Sequence, residues 1–388
     1  MEVAEKPGSL SPFKIQISPD KWNRLVDLVR LSPLPPPTFE GKDPKFGIQN
    51  EYMENAKREW QTFDWKAHEE KLNELPQFIA EVEDKHGELF QIHFVGYFTK
   101  NPKAKSIILL HGWPGSFMEY LPTVEAIQSR FSNEVNVIVP SLPGYMFSSG
   151  PPLDKDFKIE DVAFLMNGLM TQLGYSSQNG GYLAQGGDIG SVVARALALN
   201  FQDCLGIHLT MDFAPFSRSS DSQLTPAEEK GLARGEWFRA NGAAYAFEHG
   251  TRPSTISHVL ASSPLALLAW MGEKFRDWAD IEIPLDVVLC NVSLWWLTET
   301  FPLSIYAYRE VPSPDFQILK QRVPKPIGFS WFPLDINPLP RVAIEMIGPL
   351  IFFRRHERGG HFPALEVPEE FAQDLVAFCR LFSLSKSQ

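Results

Sequence analysis

With 388 residues, 44% hydrophobic and 21% charged, the chain has the make-up of a folded protein of two or three structural units, which excludes a disordered or fibrous one. A formal net charge of -11 without any Lys/Arg cluster argues against a nucleic-acid surface. Three widely spaced cysteines, Cys204, Cys290 and Cys379, without a CxxC pair argue against a disulfide framework or a metal site and predict reduced core thiols.

Residues 1–8 lack the basic start and apolar run of a secretory leader, and the longest apolar run, 264–271, is far shorter than a membrane span. The expectation is a soluble, cytoplasmic protein that engages neither membrane nor nucleic acid. Ser18-Pro19-Asp20 starts a helix with Trp22, Leu25, Val26 and Val29 on one face. Pro35-Pro36-Pro37 then imposes an extended strap, because proline cannot continue a helix. Helical stretches follow at 50–60 and 65–75, then a hairpin of strands 78–83 and 89–97.

From residue 106, strands at 106–110, 134–140, 182–186 and 204–210 alternate with helices at 117–131 and 159–173. This predicts an α/β protein, its sheet mostly parallel with helices on both faces. The alternation stops near Asp212. Residues 213–322 read as helical and rich in Trp and Leu, which predicts a lid over the strand ends. Strands at 327–332 and 350–353 and an amphipathic helix at 369–381 close the chain. The expected division is an N-terminal segment at 1–100, a core at 101–212 and 323–388, and a lid at 213–322.

The most informative stretch is Gln185-Gly186-Gly187-Asp188-Ile189-Gly190-Ser191. Glycines two residues before and after Asp188 suit a strained strand-to-helix corner that exposes one side chain, the spacing of the α/β-hydrolase nucleophile with Asp in place of Ser. A serine alkoxide attacking saturated carbon would leave an inert ether, whereas a carboxylate leaves an ester that water can cleave. The competing reading is an Asp that caps the helix beginning at Ile189.

A base for that second step is expected at His361, where Gly359-Gly360 permits a tight turn after the last strand. His356 lies among charges. Asp335, 26 residues earlier and just past a strand, is expected to orient the imidazole, against the alternative of a simple turn Asp. Asp286 and Glu357 are weaker choices. An oxyanion hole is expected from the backbone amides of Trp113, in His111-Gly112-Trp113-Pro114-Gly115, and Ile189. The Trp-rich lid and its surroundings, with Trp270, Trp295, Trp296 and Trp331, suggest an apolar pocket.

With these residues assembled, the chain resembles the epoxide hydrolases of the microsomal type, most closely their soluble fungal members. The resemblance rests on His111-Gly112-Trp113-Pro114, residues 185–191, the Asp335/His361 pair, and the segments 244–249 and 306–310. It implies an α/β-hydrolase fold with a helical lid and a wrapping N-terminal segment. It also implies hydrolysis of small apolar epoxides by water to vicinal diols, without cofactor or metal. Asp188 matches the nucleophile, Asp335 the acid and His361 the base; Tyr245 and Tyr308 match two tyrosines that hold the epoxide oxygen, with Tyr306 as the alternative register. Substrate contacts are expected from Trp113, Tyr245, Tyr308 and Trp331, and the family's N-terminal segment can contribute to a homodimer. The animal enzymes' membrane anchor and their usual Glu acid are not found in this sequence. Haloalkane dehalogenases share the Asp nucleophile and form the nearest rival; a non-catalytic binder on the same fold is the other.

Overall fold

Nine strands form one sheet in the computed structural model, which describes residues 10–217, 223–311, 313 and 316–383. They are β1 (Leu10–Pro12), β2 (Gln77–Glu83), β3 (Leu89–Tyr97), β4 (Lys105–Leu110), β5 (Val135–Pro140), β6 (Tyr182–Gly186), β7 (Cys204–Leu209), β8 (Ile327–Trp331) and β9 (Leu350–Arg355). Their order is β1-β2-β3-β5-β4-β6-β7-β8-β9. β1, β2, β3 and β5 pair antiparallel in turn, and every pair from β5 to β9 is parallel.

The central strands are mostly apolar because both of their faces are covered. The connection from β4 to β5 runs one way along the sheet, whereas those from β5 to β6 and β6 to β7 run the other. Right-handed crossovers therefore place Leu121–Phe131 on one face, where it packs on Pro368–Leu381, and Ile159–Gln172 with Asp188–Asn200 on the opposite face. The reversal opens a crevice past the carboxyl ends of β4 and β6.

Strand β1 was not foreseen from the sequence: three residues are too few for a period to register. The stretch expected as one helix from 117 begins as a 3-10 turn, Phe117–Tyr120, and becomes α-helical at Leu121, with Pro122 in the first turn. The leader reading of residues 1–8 lies outside the described residues.

Between β7 and β8 the described chain is helical. Its helices rest partly on the N-terminal ones. Trp60 Nε1 donates to Ser293 Oγ at 2.8 Å with both residues buried, Lys21 Nζ reaches the Leu297 carbonyl at 3.5 Å, and the Ser32 and Ser263 hydroxyls meet at 3.0 Å. Buried Arg195 and Asp212 tie the far end to the core: the guanidinium meets both carboxylate oxygens, at 2.9 and 3.0 Å, and also caps the carbonyls of Ile318, Leu319 and Gln321. Among the described residues no single helix is long and apolar enough to cross a membrane.

Candidate active site

Asp188 is the first residue of its helix, directly after β6, and its φ of +48° is left-handed backbone rarely taken by a residue with a side chain. The corner is tight: a Cβ at Gly190 would stand 1.9 Å from the Leu110 carbonyl oxygen, and one at Gly186 would stand 2.1 Å from that of Gly190. Only glycine lets the helix start against the strand ends. Gly187 is the N-cap, and among the described residues the Asp188 side chain makes no hydrogen bond to its own helix. Instead Oδ1 accepts from the Trp113 amide at 2.9 Å, across the crevice from the end of β4. No hydrogen bond from the Ile189 amide to this carboxylate is present among the described residues, although Ile189 lines the adjoining cavity.

His361 Nδ1 lies 2.7 Å from Asp335 Oδ1, and its Nε2 lies 3.6 Å from Asp188 Oδ2, with all three residues buried. The loop that carries the imidazole is held by backbone. His361 N donates to the Trp278 carbonyl at 2.9 Å, and buried Glu366 accepts from the amides of Asp280, Ile281, Gly360 and Phe362. A Cβ at Gly360 would stand 2.5 Å from that Trp278 carbonyl oxygen, so the glycine is required where the loop touches the helical segment. Asp335 is fixed by the Ile336 amide on Oδ1 at 2.6 Å and by Arg234 Nε on its carbonyl at 2.7 Å. Burial alone would depress the imidazole's pKa, but the carboxylates of Asp335 and Asp188 overcome it and lift it to about 10. His356 faces elsewhere, bound to Asp374 at 2.7 Å; exposed Glu357 pairs with Arg355, and Asp286 lies in the helix Leu285–Thr298.

Tyr245, from the helix Ala244–Thr251, and Tyr308, from the turn Ile305–Arg309, stand edge to face with ring centroids 5.7 Å apart. Both line a cavity of about 560 Å³ that reaches Asp188. Burial raises the pKa of both phenols and the Asp188 charge adds to it, so each keeps its proton. The Tyr308 hydroxyl is buried with no hydrogen-bond partner among the described residues. Tyr306, the other register, donates to the Pro143 carbonyl at 3.0 Å and belongs to the packing. Around the phenols, the Trp113 ring stacks on Tyr245 at 5.3 Å and Lys274 Nζ stands 4.8 Å from the Tyr245 centroid. His249, held neutral by burial, accepts from Trp270 Nε1 at 2.9 Å.

The cavity walls correct one expectation. Trp331 is buried at the end of β8 and lines neither this cavity nor the smaller one that Asp188 also borders; Trp270, Trp295 and Trp296 are likewise absent from both linings. Phe213, Phe216, Phe238, Phe247 and Leu232 supply the apolar surface instead. Tryptophan content marks burial, and does not say which cavity a ring faces. Sequence reasoning also missed Glu119, which faces the smaller cavity and has no sequence signal beyond lying five residues after Pro114, and Glu366. Among the described residues no group of three His, Cys, Asp or Glu side chains could hold a metal ion, and all three cysteines are free and buried.

Comparison with known proteins bears on this geometry. The sequence family described as epoxide hydrolase N terminus matches residues 10–120, and the α/β hydrolase fold family matches residues 105–268. A putative epoxide hydrolase of Dothistroma septosporum is 38% identical over 382 residues, covering 95% of this chain and 89% of the relative. The Aspergillus niger epoxide hydrolase structure superposes with a TM-score of 0.90 at 46% identity, covering 96% of this chain and 97% of the other. The juvenile hormone epoxide hydrolase of the silkworm Bombyx mori does so with a TM-score of 0.85 at 26% identity, covering 97% and 95%. By sequence and by fold alike, the chain belongs to the epoxide hydrolase family and is an enzyme of the α/β-hydrolase fold.

Proposed function

We propose that the enzyme opens its epoxide by forming an ester on Asp188 and releases the diol by hydrolysing that ester. The observation that carries this reading is the placement of one carboxylate between two proton-bearing phenols and a charged imidazole: Asp188 shares the large cavity with Tyr245 and Tyr308, and His361 Nε2 stands 3.6 Å from its Oδ2.

Oδ1 is engaged by the Trp113 amide, so Oδ2 is the oxygen free to attack a ring carbon. The C–O bond of the epoxide breaks, its electron pair goes to the ring oxygen, and Tyr245 and Tyr308 donate hydrogen bonds or a proton to that alkoxide. In the resting site His361 carries a proton because two carboxylates face it. Esterification removes one of those charges, so the pKa of the imidazole falls and the imidazolium gives up its proton to the tyrosinate. It is then neutral and able to act as a base.

Water passes one proton to Nε2 while its oxygen bonds to Cγ of the ester, and the Trp113 amide stabilises the charge on Oδ1. The Cγ–O bond to the alkyl group then breaks and the leaving oxygen takes the proton from His361; the second water proton passes from the new Asp188 carboxyl to Nε2, restoring the carboxylate, with one oxygen from water, beside a charged imidazole. Asp335 keeps the imidazole in the tautomer that exposes Nε2. The helical segment 213–322 serves as a lid whose Phe-lined cavity suits apolar epoxides.

One turnover in oxygen-18 water with enzyme in excess tests the ester. The first diol is expected to be unlabelled and Asp188 to carry the label; label in the diol from that turnover would show that water attacks the ring directly and would overturn the mechanism.

A further inference from the structure

Asp188 also borders a second cavity, of about 10 Å³, whose other lining residues are not those of the large cavity and which has room for the centre of one water molecule. Gly112, Gly115, Glu119, Gln185, Asp188 and His361 are among the residues around it. Two of these carry a polar group without a hydrogen-bond partner among the described residues. Gln185 is buried, and its Oε1 has no hydrogen-bond partner among the described residues. Its orientation follows from Tyr120: that hydroxyl donates its only proton to the Leu110 carbonyl at 3.1 Å and interacts with the Gln185 side chain, so the amide nitrogen faces Tyr120 and Oε1 is left pointing elsewhere. The carboxyl of Glu119 is seated against the loop, where a Cβ at Gly115 would meet its Oε2 at 1.8 Å. No hydrogen bond to that carboxyl is present among the described residues, and its surface is partly accessible where it meets the cavity.

We propose that this cavity seats the hydrolytic water and that Glu119 and Gln185 are its positioning residues. The inference rests on the ester mechanism above. Buried polar groups without partners are rare, and one water here satisfies both. Burial pushes the Glu119 pKa up to about 8, with Asp188 pushing the same way and His361 opposing, so at neutral pH its carboxyl is mostly a proton donor. A water in the cavity then accepts from Glu119 and donates to Gln185 Oε1 and to His361 Nε2. Three of its four tetrahedral sites are used, and the remaining lone pair is free for Cγ of the Asp188 ester. The same arrangement seats the water in a cavity whose lining, Asp188 apart, is separate from that of the large one.

Rapid-quench kinetics on the full-length enzyme with a styrene-type epoxide test this, reading formation and decay of the adduct on the Asp188 peptide by mass. Glu119→Leu keeps the volume and removes the donor. It is expected to slow adduct decay at least tenfold more than adduct formation, whereas Glu119→Gln, whose amide can still donate, recovers most of the lost decay rate. Gln185→Leu is expected to act in the same step as Glu119→Leu. Decay in Glu119→Leu at the wild-type rate overturns the water site, as does equal slowing of both steps or the absence of any recovery with glutamine. Absence of adduct from wild type and from His361→Gln alike would instead overturn the ester mechanism, so the two failures are told apart.

Discussion

His361 Nε2 stands 3.6 Å from Asp188 Oδ2, too far for a good hydrogen bond but near enough for the carboxylate to favour the charged imidazolium. Replacing Asp188 by Asn removes one of the two carboxylates that lift the imidazole pKa to about 10. In an NMR titration the His361 ring of Asp188→Asn is expected to lose its proton at clearly lower pH than in wild type. An unchanged titration would mean that Asp335 alone sets the charge, and that esterification cannot release the base.

The same pKa gives a stability prediction with a definite sign. The folded value lies above the ordinary 6.5, so the imidazolium contributes stability in full below pH 6.5, and that contribution is lost as the pH rises towards 10. The difference in thermal unfolding temperature between wild type and His361→Gln should therefore narrow from pH 6.5 to pH 10. A constant difference across that window would contradict the raised value.

Asp335→Asn keeps the shape of the acid but removes the charge facing Nδ1. Ester hydrolysis is expected to fall by about 10³-fold or more, by analogy with loss of the orienting acid in other imidazole-based sites, while ester formation falls much less. The adduct should accumulate, and its mass on the Asp188 peptide is the measurement. Failure to accumulate would move the acid's role elsewhere.

Under the proposed mechanism, Tyr245→Phe and Tyr308→Phe each remove one donor to the developing alkoxide. Each is expected to lower the rate of ring opening by about 10²-fold, in the range found for single oxyanion donors. Turnover of a haloalkane, if any occurs, should not follow the same pattern, because a halide needs no phenolic proton. Loss of epoxide turnover in one variant only would assign the donation to a single tyrosine.

Glu366 accepts four backbone amides that join the His361 loop to residues 280 and 281. Glu366→Ala leaves these buried donors without a partner, at a cost of about 3 kcal/mol or more, and should lower the unfolding temperature by several degrees. The accompanying loss of activity should appear in ester decay, because the imidazole would no longer be aimed. Calorimetry and rapid-quench kinetics on the same variant check both halves.

The fold was legible in the chain because its signals are local. Apolar strands alternate with amphipathic helices from 106 onward, and glycines at 186 and 190 announce the corner that lifts Asp188. The placement of His361 was legible for the same reason, through Gly359-Gly360. The tyrosines were reached only through resemblance: nothing in the local sequence distinguishes Tyr308 from Tyr306, and what separates them is the Pro143 carbonyl that accepts the Tyr306 hydrogen bond. Glu119 was not legible at all. Its environment depends on Gly115, Gln185 and the end of β4 meeting in space, and no periodicity encodes a cavity for one water.

The brace that the N-terminal helices form against the helical segment has a consequence for which part of the large cavity's wall can yield. Trp60 bonded to Ser293 and Arg195 bonded to the carbonyls of Ile318, Leu319 and Gln321 hold the later part of the helical segment to the core. The helices Pro226–Asn241 and Ala244–Thr251, which line the large cavity, lie outside both contacts. Half-buried Phe216 and exposed Phe247 are therefore where the cavity wall has most freedom to yield to a bulkier occupant.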